Sequence, residues 1–356
     1  MMKELRLMKG NEALAEAAIR AGTDAYFGYP ITPQSEIIEY LMHENPYERT
    51  GMVVLQAESE VAAINMVYGA AACGKRTMTS SSSPGISLKQ EGLSYIAGAE
   101  LPCIVVNIVR GGPGLGTIQP SQSDYFQAVK GGGHGDYKLI VLAPATVQET
   151  VDFVKLGYEL AFKYRNTVMI LSDGIIGQMM EKVELFEQMP RENKDYEWAT
   201  VGKKPGKDSV IVTSLYLKSE DQEKLNFRLQ AKYREIEKAE VRFETIMTED
   251  AEYLFTAFGS CARITRKAME MARAKGIKVG LVRPISLYPF PVKIFEELAP
   301  KVKGILTVEM NAGQMVEDVR LAVNGKTKVE HYGRFGGIIP SPEEILNALE
   351  QKIIGG

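Results

Sequence analysis

The stretch Cys103–Val109, CIVVNIV, is an apolar strand of the kind that a parallel sheet buries on both faces. Such a strand needs helices on either side of its sheet, and the surrounding sequence supplies strands and helices in alternation. Asn11–Ala21 (NEALAEAAIRA) is an amphipathic helix closed by Gly22, and Ala25–Tyr29 (AYFGY) reads as a strand. Gln34–Met42 resumes helix and Met52–Leu55 is a short buried strand. A further helix is capped by Ser59, with Ala62, Ala63, Met66, Val67 and Ala70 at helical spacing. Arg76–Ser80 is a strand feeding the turn SSSPG and then a helix that ends near Ala97. Leu139–Leu142, a helix over Thr146–Tyr164 and Val168–Leu171 complete a doubly wound α/β domain with a parallel sheet.

At 356 residues the chain is longer than one typical core, so a second domain is expected. Lys218–Glu244 is dense in mixed charges, with Leu225, Leu229 and Ile236 at helical spacing, and reads as a solvent-facing helical connector. From Tyr253 the alternation restarts in a smaller unit, with strands at Val279–Val282, Ile305–Glu309 and near Val329, and a last helix from Pro342. A net charge of -3, with acids and bases well mixed, argues against a dedicated nucleic-acid binder. Cys73, Cys103 and Cys261 are far apart and each sits in an apolar run, a reduced, cytoplasmic pattern that cannot supply the full thiolate set of an iron–sulfur cluster. The opening MMKELRLMKGNE has no apolar signal core, and no apolar run reaches membrane-spanning length.

Candidate site residues sit where the strands end. Glu60 falls in the first turn of the helix capped by Ser59, where the macrodipole alone favours an acid. Its small neighbours Ala62, Ala63 and Ala70 leave room for a cofactor or another backbone to approach. Thr32 stands in the stiff turn Pro30-Ile31-Thr32-Pro33, which is also a possible helix N-terminus with proline near its start. Arg110 follows Val109 at a strand's carboxyl end, as an anion clamp or as an arginine closing a loop. The GGPGLG run after it lacks the Lys-Ser/Thr of a phosphate-binding loop. His134 has no partner ligands at metal-binding spacing, and no metal site is read.

Taken together, GYPITP (Gly28–Pro33), QAESEVAA (Gln56–Ala63), TSSSSPG (Thr79–Gly85), VRGGPG (Val109–Gly114), GHGD (Gly133–Asp136), LVRPISLYPFP (Leu281–Pro291) and VEMNAGQM (Val308–Met315) resemble the thiamine diphosphate-dependent 2-oxoacid:ferredoxin oxidoreductases. The resemblance covers nearly the whole chain and is to the subunit carrying the pyrimidine-binding domain joined to a transketolase C-terminal-like domain. It implies a pyrimidine-type domain over residues 1–200, a charged helical connector over 201–250 and the transketolase-like domain over 251–356. The opening residues and YPITPQSE look like the large subunit of the 2-oxoisovalerate branch, with the 2-oxoglutarate branch a near neighbour.

The same resemblance assigns roles. The acid at the position of Glu60 contacts N1′ of the cofactor's aminopyrimidine and shares a proton with it. Pro30 and Ile31 are matched to cofactor contacts, while Thr32 and Arg110 match substrate contacts, a hydroxyl and a guanidinium suited to a 2-oxo acid carboxylate. Glu58 is assigned to structure or solvent. The family holds Mg²⁺ and the diphosphate through a GDG motif followed by Asn, which neither SDGIIG nor GHGD provides here. A partner subunit is therefore expected to bring Mg²⁺ and the diphosphate contacts, and a ferredoxin-like subunit the iron–sulfur clusters. Coenzyme A, a 2-oxo acid and ferredoxin are the expected reactants, in CoA-dependent oxidative decarboxylation. A scaffold subunit without chemistry would have no need for Glu60, Thr32 and Arg110 together.

Overall fold

The computed structural model describes residues 4–191, 194–203, 205–206 and 208–355. Its first part contains β1 (Glu4–Lys9), α1 (Gly10–Arg20), β2 (Ala25–Gly28), α2 (Ser35–Glu44), α3 (Pro46–Thr50), β3 (Val53–Gln56), α4 (Glu60–Ala72), β4 (Thr77–Ser81), α5 (Ser83–Gly98) and β5 (Cys103–Val109). Then come α6 (Tyr125–Val129), β6 (Ile140–Leu142), α7 (Val147–Tyr164), β7 (Thr167–Asp173), α8 (Gly174–Gln178) and β8 (Met180–Leu185). The second part has α9 (Ser219–Ala239), β9 (Phe243–Ile246), β10 (Tyr253–Thr256), α10 (Gly259–Ala274), β11 (Val279–Pro284), β12 (Ser286–Tyr288) and α11 (Val292–Leu298). It closes with β13 (Gly304–Glu309), α12 (Met315–Val323), β14 (Lys328–Gly333) and α13 (Pro342–Leu349).

The main sheet has seven strands in the order β12-β6-β7-β5-β4-β2-β3. All of its pairings are parallel except that of β12 with β6. Strand β5 is buried along its whole length, as its apolar sequence requires, and α1, α4, α5 and α7 bury their apolar stripes in the surrounding core. Strand β4 is also fully buried although it is TMTSS; its short hydroxyl side chains fit a crowded central strand, Ser80 bonds to Tyr26 and Gln34, and Thr79 accepts from Lys89. Tyr26 and Ser80 hydroxyls meet at 2.6 Å, Ser80 Oγ donates to Gln34 Oε1 at 2.5 Å, and Gln34 Nε2 donates to the Tyr29 carbonyl at 3.1 Å. That buried chain ties the loop after β2 to the middle of the sheet.

Strand β3 departs from the expectation of a buried strand. It is the sheet's edge, paired only with β2, and Val53 and Leu55 are 43% and 39% exposed. The paired strands β1 and β8 have no counterpart in the sequence reading, where ELRLMK lacks an apolar run.

The second sheet runs β14-β13-β10-β11-β9, parallel but for β9. Strand β9 lies within the stretch read as connector and pairs with β11, while α9 turns Leu225, Leu229, Tyr233 and Ile236 into the first domain's core. In return β12, from the second half, adds a strand to the first sheet. Between the two sheets Gln122 bonds its backbone N–H to the Met310 carbonyl at 2.9 Å and its side-chain Nε2 to the Phe258 carbonyl at 2.8 Å, and Ser260 Oγ donates to Asp173 Oδ2 at 2.5 Å. Asp173 also caps α8, and burial pushes its carboxyl up while these donors oppose the shift.

Candidate functional site

Strands β5, β4, β2 and β3 end side by side, and the residues singled out in the sequence lie just past their carboxyl ends, where open α/β sheets place ligands. Arg110 follows β5, Ser82 and Ser83 follow β4, Pro30–Thr32 follow β2, and Glu60 opens the helix after β3. The Ala57 N–H donates to the Gly28 carbonyl at 2.8 Å, which brings the loop after β3 against the loop after β2.

Ser59 is extended and its side chain accepts from the Ala62 N–H at 3.1 Å, so the first helical residue is Glu60. Its side chain turns inward and the residue is only 6% exposed, whereas Glu58 is exposed. The inward path exists because α5 carries glycine opposite it: a Cβ on Gly85 would lie 2.5 Å from Glu60 Oε1 and 2.0 Å from Ser81 Oγ. Helix α5 thus approaches α4 and β4 more closely than any residue with a side chain allows. Lys89, one turn further along α5, is wholly buried and donates to Thr79 Oγ1 at 2.8 Å.

Arg110 is 9% exposed. Its Nη1 donates to the Thr32 carbonyl at 2.9 Å and its Nη2 to the Leu115 carbonyl at 3.0 Å, so it ties the loop after β2 to the glycine-rich loop. The Ser83 hydroxyl accepts from the Arg110 N–H at 3.1 Å and donates to the Arg110 carbonyl at 3.2 Å, linking this arginine to the start of α5. The Thr32 side chain is exposed, and Pro30 and Ile31 are half-buried in the same turn. Thr32 and Arg110 are therefore in direct contact, and Glu60 joins them through α5, with Ser83 on Arg110 and Gly85 on Glu60.

Three buried polar atoms around this edge have no hydrogen-bond partner: Ser81 Oγ, Ser82 Oγ and Arg110 Nε. Unsatisfied buried groups occur elsewhere in the fold as well, at Thr256 and Thr265 for example, but here they gather at the strand ends, where a ligand or partner can complete the bonding. A cavity of about 640 Å³ opens beside Thr32, lined also by Pro33, Ser35, Ile118, Gln119 and Ile339. A larger one, about 830 Å³, lies between Lys130 and the Leu287–Ile294 segment, away from the strand ends. Its Lys130 is paired with Asp318 and its Lys138 lies over the Tyr288 ring.

Among the described residues no group of three or more His, Cys, Asp or Glu side chains could hold a metal ion, and no helix is long and apolar enough to cross a membrane. Cys73, Cys103 and Cys261 are free, and burial pushes the Cys103 thiol up to about 12.

Gly85 and Lys89 are the site residues that sequence reading passes over. The signal for Lys89 is a lone charge on the apolar stripe of α5, between Ile86 and Leu93. For Gly85, nothing in the sequence separates close approach from an ordinary helix start after proline.

Residues 16–248 match the family described as pyruvate flavodoxin/ferredoxin oxidoreductase, thiamine diphosphate-binding, and residues 251–345 match pyruvate:ferredoxin oxidoreductase core domain II. The chain is 49% identical to the ketoisovalerate oxidoreductase subunit VorB of Methanothermobacter thermautotrophicus over 97% of both chains. It is 36% identical to the 2-oxoglutarate synthase subunit KorA of Methanocaldococcus jannaschii, over 97% of this chain and 99% of that one. A solved structure of 2-oxoglutarate:ferredoxin oxidoreductase from Magnetococcus marinus superposes with a TM-score of 0.85 at 29% identity, covering 99% of this chain and 66% of that chain. A carboxylate buried at the strand ends, beside orphaned hydroxyls and an open loop, accords with these matches, and the chain belongs to the 2-oxoacid:ferredoxin oxidoreductases as a subunit that joins their thiamine diphosphate-binding domain to core domain II.

Proposed function

We propose that this chain supplies the pyrimidine half of a split thiamine diphosphate site in a cytoplasmic 2-oxoisovalerate:ferredoxin oxidoreductase. The observation that carries the reading is the buried Glu60 carboxylate at the mouth of α4, turned inward past Gly85 beside an open loop. The residues present fit the cofactor's aminopyrimidine. A carboxylate is the group that can share a proton with a ring nitrogen, and the unpartnered Ser81 and Ser82 hydroxyls leave polar capacity nearby. Pro30 and Ile31 would lie along the ring. When bound, thiamine diphosphate supplies the nucleophilic carbon and the electron sink that decarboxylation of a 2-oxo acid requires.

Glu60 holds the proton at N1′ and returns it, and its fixed place at the helix start keeps that exchange in one geometry. Arg110 and Thr32 bind and orient the substrate. The guanidinium presents an unused Nε–H, and a carboxylate arriving from solvent can displace the Leu115 carbonyl from Nη2 to gain a paired contact. In the overall reaction the 2-oxo acid and coenzyme A would give acyl-CoA and carbon dioxide, and the two electrons released would pass one at a time to ferredoxin by way of a ferredoxin-like subunit, which would hold the iron–sulfur clusters.

A partner subunit brings Mg²⁺ and the diphosphate contacts. Its docking is supported by the apolar side chains left exposed along β3 and α4, namely Val53, Leu55, Val61 and Met66. Gly69 on that face of α4 has nothing within 4 Å of where a Cβ would stand. Mid-helix glycine costs about 0.5–1 kcal/mol relative to alanine, so its use here is consistent with space kept for a closely approaching neighbour. The choice of 2-oxoisovalerate rests on the higher identity to VorB than to KorA. Reconstitution with the partner subunits, followed by assay of ferredoxin reduction with each 2-oxo acid, tests it; a preference for 2-oxoglutarate overturns the substrate assignment.

A further inference from the structure

Lys89 is wholly buried and unused by the chemistry above. It follows Gly85 by one turn of α5, so the two residues share a helix face, and Gly85 is the point at which α5 presses on Glu60. An ammonium has several N–H donors to satisfy, yet Lys89 makes one side-chain hydrogen bond, to the neutral Thr79 hydroxyl. A cation removed from water without a counter-charge is costly, and methionine would fill the same space without that cost. Burial accordingly pushes the Lys89 ammonium down to about 7, and the negative charge that opposes this fall comes from Glu60. Thr79 and Ser81 stand on the same face of β4, so the Lys89 ammonium, the orphaned Ser81 hydroxyl and the Glu60 carboxylate all belong to one enclosed layer between β4 and α5.

We propose that Lys89 is the positioning residue for Glu60, a buried amine in the layer behind the carboxylate that favours its inward place at the mouth of α4. The proposal rests on the reading of Glu60 as the acid that shares the cofactor's proton. Two fields then act on one carboxylate: the α4 N-terminus from its own helix, and Lys89 from the neighbouring one. Anchoring through Thr79 matters as much as charge. It ties the ammonium to β4, the rigid centre of the sheet, so the field cannot drift with the surface loops.

The test is a double-variant cycle on the purified full chain, reading urea unfolding midpoints of Lys89→Met, Glu60→Gln and the pair. Coupled charges predict that the double variant loses clearly less than the two single shifts added together, because each single change strands the other charge. Additive shifts overturn the proposal and leave the reading of Glu60 untouched. Should Lys89→Met not fold, Lys89→Gln, which keeps a donor for Thr79, replaces it in the same cycle. In the complex reconstituted with its partner subunits, Lys89→Gln should lower kcat about 10-fold, with the KM for the 2-oxo acid unchanged. Unchanged kcat also overturns the proposal. Full activity of Glu60→Gln together with a non-additive cycle would remove the catalytic reading of Glu60 while leaving the charge coupling in place.

Discussion

Arg110 and Thr32, 78 positions apart in sequence, are joined by a 2.9 Å hydrogen bond from the guanidinium Nη1 to the threonine's backbone carbonyl. The residue proposed to hold the substrate carboxylate therefore also holds the loop that carries the second substrate contact. Arg110→Met should raise the KM for every 2-oxo acid, by about 10–100-fold for the loss of a charge-assisted bond, without changing the order of preference among them. An unchanged KM would take Arg110 out of the site. A changed order would show that it reads the far end of the substrate.

Glu60→Gln keeps the size of the side chain and removes its proton affinity. Complexes carrying it should assemble normally and turn over ~10²–10⁴-fold more slowly, the usual loss for a positioned acid–base group. Glu58→Gln is the control. Glu58 is exposed two residues earlier, and its variant should retain full rate.

Gly85→Ala tests the close approach directly. The new methyl would meet Glu60 Oε1 at 2.5 Å and Ser81 Oγ at 2.0 Å, so either the helix or the carboxylate must move. Overpacking of this kind costs about 1–3 kcal/mol, which should appear as a lowered urea midpoint of the chain. Weaker thiamine diphosphate affinity in the complex should accompany it. A variant with normal stability and affinity would mean that Glu60 does not need its inward position.

The isolated chain has no diphosphate-binding motif in its sequence, so calorimetry on it should detect no thiamine diphosphate binding, with or without Mg²⁺. Binding should appear on addition of the partner subunit. Tight, Mg²⁺-dependent binding by the chain alone would refute the split site.

Stability in acid should depend on Glu240. Burial disfavours its charged form, but hydrogen bonds from Lys163, Tyr164 and Arg242 outweigh that effect and hold its carboxyl at about 2, against 4.5 for a free glutamate. A lowered folded-state value means that the stabilisation is complete above the unfolded value and is lost as pH falls toward the folded one. Glu240→Gln should therefore cost up to about 3 kcal/mol at neutral pH, shrinking by more than half by about pH 3. A cost that does not vary with pH would assign the effect to packing.

Elements buried on every side were the legible part of the fold. Strand β5 matches its sequence-read bounds because an apolar run buried on both faces leaves no choice of face or partner. Strand β3 was misjudged for the converse reason: VVLQ reads the same whether its cover comes from its own chain or from another. Strands β1 and β12 were illegible because pairing across a long separation leaves no periodic mark on a short segment. At the site, strand ends pointed to the positions of Glu60, Thr32 and Arg110. What those residues touch depends on Gly85, Ser83 and Lys89, whose contacts arise only when α5 is laid over β4.

The three-residue strand β12 returns from the second half of the chain to close the free side of β6. Cutting the chain between its two sheets would strip that side of β6 bare and expose its backbone to strangers, a known route to aggregation. The halves are thus poor candidates for separate expression or for exchange between relatives. A recombinant that respects the architecture must carry Ser286–Tyr288 along with the sheet it completes rather than with the sequence that precedes it.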